Sequence, residues 1–113
     1  METNEITGQI IDAAIKIHTA LGPGLFESVY EEVLQYELSK RGLFCERQLA
    51  LPVYYDNIKM EVGFRADLIV EKRVIVELKS VEIVVPVNKK KLLRYLHQAK
   101  LPIGLLINFN KHC

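Results

Sequence analysis

Sulfur is scarce in this chain of 113 residues: Cys45 and Cys113 are its two cysteines, and they stand far apart, outside any CxxC pair. Neither a disulfide framework nor a cysteine zinc site is therefore expected. No apolar run approaches the roughly 18 residues that would span a bilayer. The opening Met1-Glu-Thr-Asn-Glu has neither the basic region nor the long apolar stretch of a signal peptide. The expectation is a cytoplasmic protein without a membrane partner. Repeats, low-complexity tracts and linkers are absent too, so residues 1–113 are read as a single domain. The residues present are 50% hydrophobic and 26% charged, which excludes a disordered tail, a collagen-like chain and a coiled coil and leaves enough apolar side chains for a core.

The net charge of +1 conceals a division. Residues 1–56 carry four Lys+Arg and nine Asp+Glu, whereas residues 57–113 carry eleven and five. Such a split suits two complementary faces of one fold, or a basic surface for a polyanion held on an acidic scaffold.

Hydrophobic periodicity orders the elements. Ile10, Ala14, Ile17 and Leu21 recur at four- and three-residue steps and predict a helix from about Ile6 to Leu21, ended by Gly22-Pro23-Gly24. A second helix is expected from about Leu25 to Arg41, with Phe26, Val29, Tyr30, Val33, Leu34 and Leu38 inward and Gly42 closing it. From Gln48 the period becomes two. Leu49, Leu51, Val53 and Tyr55, a turn at Asp56-Asn57, then Ile58, Met60, Val62, Phe64, Ala66, Leu68 and Val70 read as a hairpin. After Glu71-Lys72-Arg73 a third strand covers 74–79. Asn88 is expected to cap a helix of about 89–100, and the apolar run from Ile103 to Phe109 predicts a strand buried on both faces. The crossover helix sets that last strand parallel to an earlier one.

Chemistry enters on the third strand. Glu77 and Lys79 are two apart and share a face with Ile75, while Val74, Val76 and Leu78 take the other. Asp67, out of phase with its apolar neighbours, reaches the same face if the hairpin register allows. A carboxylate in a covered sheet costs several kcal/mol unless a cation or hydrogen-bond donors meet it. Either these charges satisfy one another, as a solvated pair on an edge strand would, or a metal does so. Two carboxylates offering oxygen ligands suit Mg²⁺ or Mn²⁺ better than Zn²⁺, and a nearby ammonium can hold a water or offset charge on a phosphate.

Asp67 followed by Glu77-Leu78-Lys79, on a frame of two helices, three strands, a helix and a strand, resembles the PD-(D/E)XK nuclease superfamily. Within it, Gly24-Leu-Phe-Glu27-Ser-Val-Tyr30 is similar to the signature of the small bacterial GxxExxY proteins. Leu21-Gly-Pro-Gly, Phe64-Arg-Ala-Asp67, Val76-Glu-Leu-Lys79 and Leu105-Leu-Ile-Asn-Phe109 also match their pattern. The resemblance implies an α/β restriction-endonuclease-like domain with helices packed on a mixed four-stranded sheet. It implies Asp67 and Glu77 as ligands of Mg²⁺ or Mn²⁺, Lys79 as the group that positions the attacking water or stabilises the transition state, and Glu27 as the acid contributed by the helical region. Two departures stand out. Lys91 occupies the place before Leu92-Leu-Arg-Tyr95-Leu96 where these proteins usually carry Gln, and the chain ends at Cys113, just after the last expected strand, where relatives tend to continue.

Tyr30 is read as a core aromatic with its hydroxyl at a boundary, and His18 and His97 as structural. Lys89, Lys90, Lys91 and Arg94 form a basic run at a helix start, where like charges favour an anionic partner. The functional expectation is a metal-dependent nuclease hydrolysing phosphodiester bonds, with DNA favoured over RNA as partner and a homodimer left open. The alternative is a catalytically inactive nuclease-fold module that binds nucleic acid or a protein.

Overall fold

The computed structural model describes residues 1–110, apart from the side chains of Glu61 and Val62; the readings made for Val62 and Cys113 lie outside them. Seven elements follow in order: α1 (Thr3–Leu21), α2 (Glu27–Lys40), β1 (Cys45–Tyr55), β2 (Ile58–Val70), β3 (Val74–Lys79), α3 (Pro86–Ala99) and β4 (Ile103–Asn108). They build one sheet of order β1-β2-β3-β4. The first three strands are antiparallel, and α3 crosses over so that β4 runs parallel to β3. The architecture is the expected restriction-endonuclease-like α/β one.

Local signals explain the boundaries. Asp56 and Asn57 both have positive φ (51° and 62°), the conformation of a two-residue hairpin turn whose twist matches its strands. Gly42, at φ 81°, ends α2: its N–H donates to Ser39 O while Leu43 N–H reaches back to Leu38 O at 3.0 Å, and this left-handed closure costs a glycine nothing. Lys16, Lys40 and Arg41 surround the buried carboxylate of Glu37 at 2.9, 3.5 and 3.3 Å. The Lys16 hydrogen bond, foremost among these, holds its pKa below the ordinary carboxylate value and ties α1 to α2.

Each sheet face has its own cover. Ile6, Ile10, Ala14 and Ile17 of α1 and Tyr30, Leu34 and Leu38 of α2 pack on Leu68, Val70, Val74, Val76 and Leu78. On the opposite face Leu92 and Leu96 of α3 pack on Leu49, Leu51, Phe64, Ala66, Ile69 and Ile75. Each fully buried aliphatic side chain is worth about 1.5–3 kcal/mol relative to exposure, so both layers hold the sheet firmly. The helix α3 comes close enough to β4 that a Cβ added at Gly104 would lie 3.0 Å from both Leu92 and Leu96. Phe64 and Tyr95, stacked at 3.6 Å and 4°, fix the same helix over β2.

Several details differ from the periodicity reading. Phe26 is 83% exposed, and Val29 and Leu21 also face solvent, because the buried stripe of α2 runs through Tyr30, Leu34 and Leu38 and leaves Val29 outside it. The third helix begins three residues early, with Val85 as N-cap and Pro86 in its first turn. Proline suits that position, where its missing N–H has no intrahelical partner to lose. Asn88 therefore lies inside the helix. At one sheet edge, β4 is half-buried along its length rather than enclosed on both faces.

Tyr30 ties α2 to the α1–α2 connection and to the residue just past β4. Its ring stacks on Phe109 at 4.3 Å, and its hydroxyl donates to Gly22 O at 2.6 Å and accepts from Leu25 N–H at 3.1 Å. The substitution Tyr30→Phe leaves both backbone groups without that partner and is expected to cost about 1–3 kcal/mol, lowering Tm by roughly 4–8 °C per kcal/mol. Thermal unfolding followed by circular dichroism checks this; an unchanged Tm would contradict it.

Candidate active site

The even positions of β2 do not keep to one face. Phe64 and Ala66 pack beneath α3, whereas Leu68 and Val70 pack against α1 and α2. Strict alternation forbids this, so β2 changes phase at Asp67. Its partner changes phase too, since Cys45 lies with the α1–α2 side and Leu49 with the α3 side. Between them Gln48 adopts φ 51°, a left-handed conformation that costs a non-glycine residue about 1–2 kcal/mol.

This break shapes the site. The β2–β3 ladder runs from Val70↔Val74 to Leu68↔Val76, and beyond it side chains take over from backbone. Asp67 N–H donates to Glu77 Oε1 at 3.1 Å, and Leu78 N–H donates to Asp67 Oδ2 at 2.8 Å. Each carboxylate thus accepts a backbone hydrogen bond from the other's strand, and the two are brought together where the strands part. Burial, followed by the neighbouring Asp67 charge, raises the pKa of Glu77 from 4.5 to about 7. Among the described residues no ion pair joins Glu77 to Lys79; the ion pairs centre on Glu37 and Glu31. β3 is also an interior strand, so a solvated edge pair does not describe these residues.

On the α3 side, Glu77 and Lys79 line a cavity of about 220 Å³ together with Phe64, Asn88, Lys91 and Tyr95. Lys89, Lys90 and Arg94 are exposed on the same helix, and none of the four basic residues of this run forms an ion pair among the described residues. Glu27 stands at the start of α2, where it accepts from Ser80 N–H at 3.1 Å, just past the end of β3. It borders a different hollow, with Gly24, Phe26, Ser80 and Asn110.

An acid one turn further along α2 approaches Asp67 more directly. Glu31, buried, accepts from Arg47 Nε at 3.1 Å and from Gln48 Nε2 at 2.7 Å. The same Gln48 nitrogen lies 3.3 Å from Asp67 Oδ1. The spacing of four between Glu27 and Glu31 was the available signal, since it puts both on one side of α2. Gln48 gave none, because a polar residue at a strand start reads as solvent-facing. Elsewhere, burial and then the Glu71 charge push the Cys45 thiol up to about 11, which removes it as a nucleophile at neutral pH.

A family model described as the PD-(D/E)XK nuclease superfamily matches residues 4–113. The chain belongs to the PD-(D/E)XK nuclease superfamily. No curated protein and no solved structure matched it in the corresponding searches. Members of this superfamily generally use divalent metals such as Mg²⁺. The donor set of this PD-(D/E)XK chain fits such an ion in kind: Asp67 and Glu77 offer hard carboxylate oxygens, and each is held in place by a backbone N–H of the other's strand. Among the described residues, no group of three His, Cys, Asp or Glu is arranged to hold a metal. No helix among the described residues is long and apolar enough to cross a membrane.

The Glu77 shift has a sign that can be tested without metal. Below pH 4.5 the group is protonated in both folded and unfolded chains. Between that value and about 7 the unfolded chain ionises first, so stability falls as pH rises, and the full penalty holds above the folded pKa. In metal-free protein Glu77→Gln should therefore be neutral near pH 4 and stabilising at pH 8. The gain is on the order of 1–2 kcal/mol, below the full shift because the group is partly open to water. Tm measured across that range decides; a loss of stability at pH 8 would indicate a structural ion pair instead.

Proposed function

We propose that this protein is a metal-dependent nuclease that hydrolyses nucleic-acid phosphodiester bonds, DNA in preference to RNA, in the cytoplasm and as one domain over residues 1–113. The observation that carries this reading is the pairing of Asp67 and Glu77 at the parting of β2 and β3, each held by a backbone N–H of the other's strand. Those two side chains are the proposed ligands of Mg²⁺ or Mn²⁺. When bound, the ion supplies a lowered pKa for a coordinated water and charge neutralisation at the phosphate.

The remaining steps fall to the chain's own residues. Lys79, facing the same cavity as Glu77, orients the attacking water and offsets charge developing on the phosphate oxygens. Lys91 and Asn88, on the opposite wall, hold a phosphate by charge and hydrogen bond. Glu27, through Ser80 N–H, anchors the segment that follows Lys79. Lys89, Lys90 and Arg94, exposed on α3, attract the backbone of a nucleic acid without reading its sequence.

One observation favours a second reading, a catalytically inactive nuclease-fold module that binds nucleic acid or a protein: Lys91 brings a cation into the cavity that Glu77 lines.

Incubation with Mg²⁺ or Mn²⁺ and supercoiled DNA, single-stranded DNA or RNA separates the two readings. Cleavage is expected, with Asp67→Asn, Glu77→Gln and Lys79→Ala each slowing it by at least roughly 10²-fold. No cleavage by folded protein on any substrate favours the module. Nucleic-acid affinity should also fall steeply with salt, and neutralising Lys89, Lys90 and Arg94 together should flatten the slope of log K against log salt by about two to three. A polyanion column at low salt that retains none of the protein would count against nucleic acid as partner.

A further inference from the structure

We infer that Gln48 is a positioning residue for Asp67, clamping its carboxylate to Glu31 of α2; the consequence for metal binding rests on the nuclease reading above. Three observations carry the inference. Gln48 is held at φ 51° within β1, a left-handed conformation that non-glycine residues seldom adopt. Its side-chain nitrogen is within hydrogen-bond distance of two carboxylates, Glu31 Oε1 at 2.7 Å and Asp67 Oδ1 at 3.3 Å. Its carbonyl oxygen is fixed by Arg65 Nη1 at 2.9 Å.

The amide is suited to this task. Ionised carboxylates only accept hydrogen bonds, so the NH₂ end, with two donors, must face them. A lysine or arginine in the same place would neutralise Asp67 and compete with a cation for it, whereas an amide fixes the carboxylate and leaves its charge intact. Glu31 is itself immobilised by Arg47 at 3.1 and 3.0 Å, so the clamp is anchored to a buried side chain of α2 rather than to solvent. Asp67 then has one oxygen directed by Gln48 and the other by Leu78 N–H at 2.8 Å. A side chain fixed at both oxygens presents its remaining lone pairs in one geometry, as a metal ligand requires.

The test uses the full chain carrying Gln48→Gly, which removes the amide while suiting the left-handed backbone, so folding is not compromised. Amide hydrogen exchange at Leu78 reports on the Asp67 carboxylate without metal. Calorimetric titration with Mn²⁺ reports on the site's affinity. The expected result is an unchanged or higher Tm, Leu78 exchange at least tenfold faster while Val76 and Ile107 keep their rates, and Mn²⁺ affinity weakened at least tenfold. Unchanged exchange at Leu78 overturns the inference. So does faster exchange with unaltered affinity in a protein that binds Mn²⁺, because Gln48 would then be merely structural. If the unmutated protein binds no Mn²⁺, the nuclease reading fails, and Leu78 exchange alone decides whether Gln48 positions Asp67.

Discussion

Two carboxylates are forced together where β2 and β3 separate, and each takes a hydrogen bond that a regular ladder would have given to a carbonyl. Much of the molecule follows from that exchange. A ladder continued past Leu68↔Val76 would hold Asp67 and Glu77 apart as ordinary strand residues. Broken there, it lets β2 and β1 rotate by one position, which assigns Phe64 and Ala66 to α3 and Leu68 and Val70 to the α1–α2 pair. Both faces of the sheet thereby obtain a complete apolar layer, while the polar residues at the break are left at the junction between the layers.

Burying a carboxylate beside another carries a cost, and the pKa of Glu77, raised to about 7 by burial first and by the Asp67 charge second, reflects it. Backbone donors offset part of the cost, but they supply no net charge. A stable fold can tolerate one such region when its core is well packed elsewhere. Here the Glu37 network between α1 and α2, the Tyr30–Phe109 stack and the close contact of α3 with Gly104 supply firm packing elsewhere in the fold.

Much of this was legible in the sequence. The stripe Ile10, Ala14 and Ile17, the Asp56-Asn57 turn and the alternation of β3 are short-range patterns, and the elements they predicted formed. Asp67, Glu77 and Lys79 stood out because charged residues on an apolar strand need a reason. What stayed hidden was non-local. Gln48 is held left-handed where Glu31 of α2 and Arg65 and Asp67 of β2 meet around it, two segments distant in sequence. The phase change in β2 reads as unbroken alternation from Phe64 to Val70, since every even residue is apolar whichever face it takes. Phe26 and Val29 fit a helical stripe, but Phe26 is only the N-cap of α2 and Val29 lies outside the buried stripe through Tyr30, Leu34 and Leu38.

The division of charge along the chain also acquires a spatial sense. Acidic residues of the first half, notably Glu31 and Glu37, are consumed in internal ion pairs, while Lys89, Lys90 and Arg94 of the second half remain exposed beside the cavity that holds Glu77. A nuclease needs that combination: an anionic pair to hold a cation, within a basic surround that draws in a polyanion. The most direct measurement is anomalous diffraction from crystals equilibrated with Mn²⁺. A peak is expected within coordination distance of both the Asp67 and Glu77 carboxylates; no peak at saturating Mn²⁺, with both side chains open to solvent, would rule out a metal held by this pair.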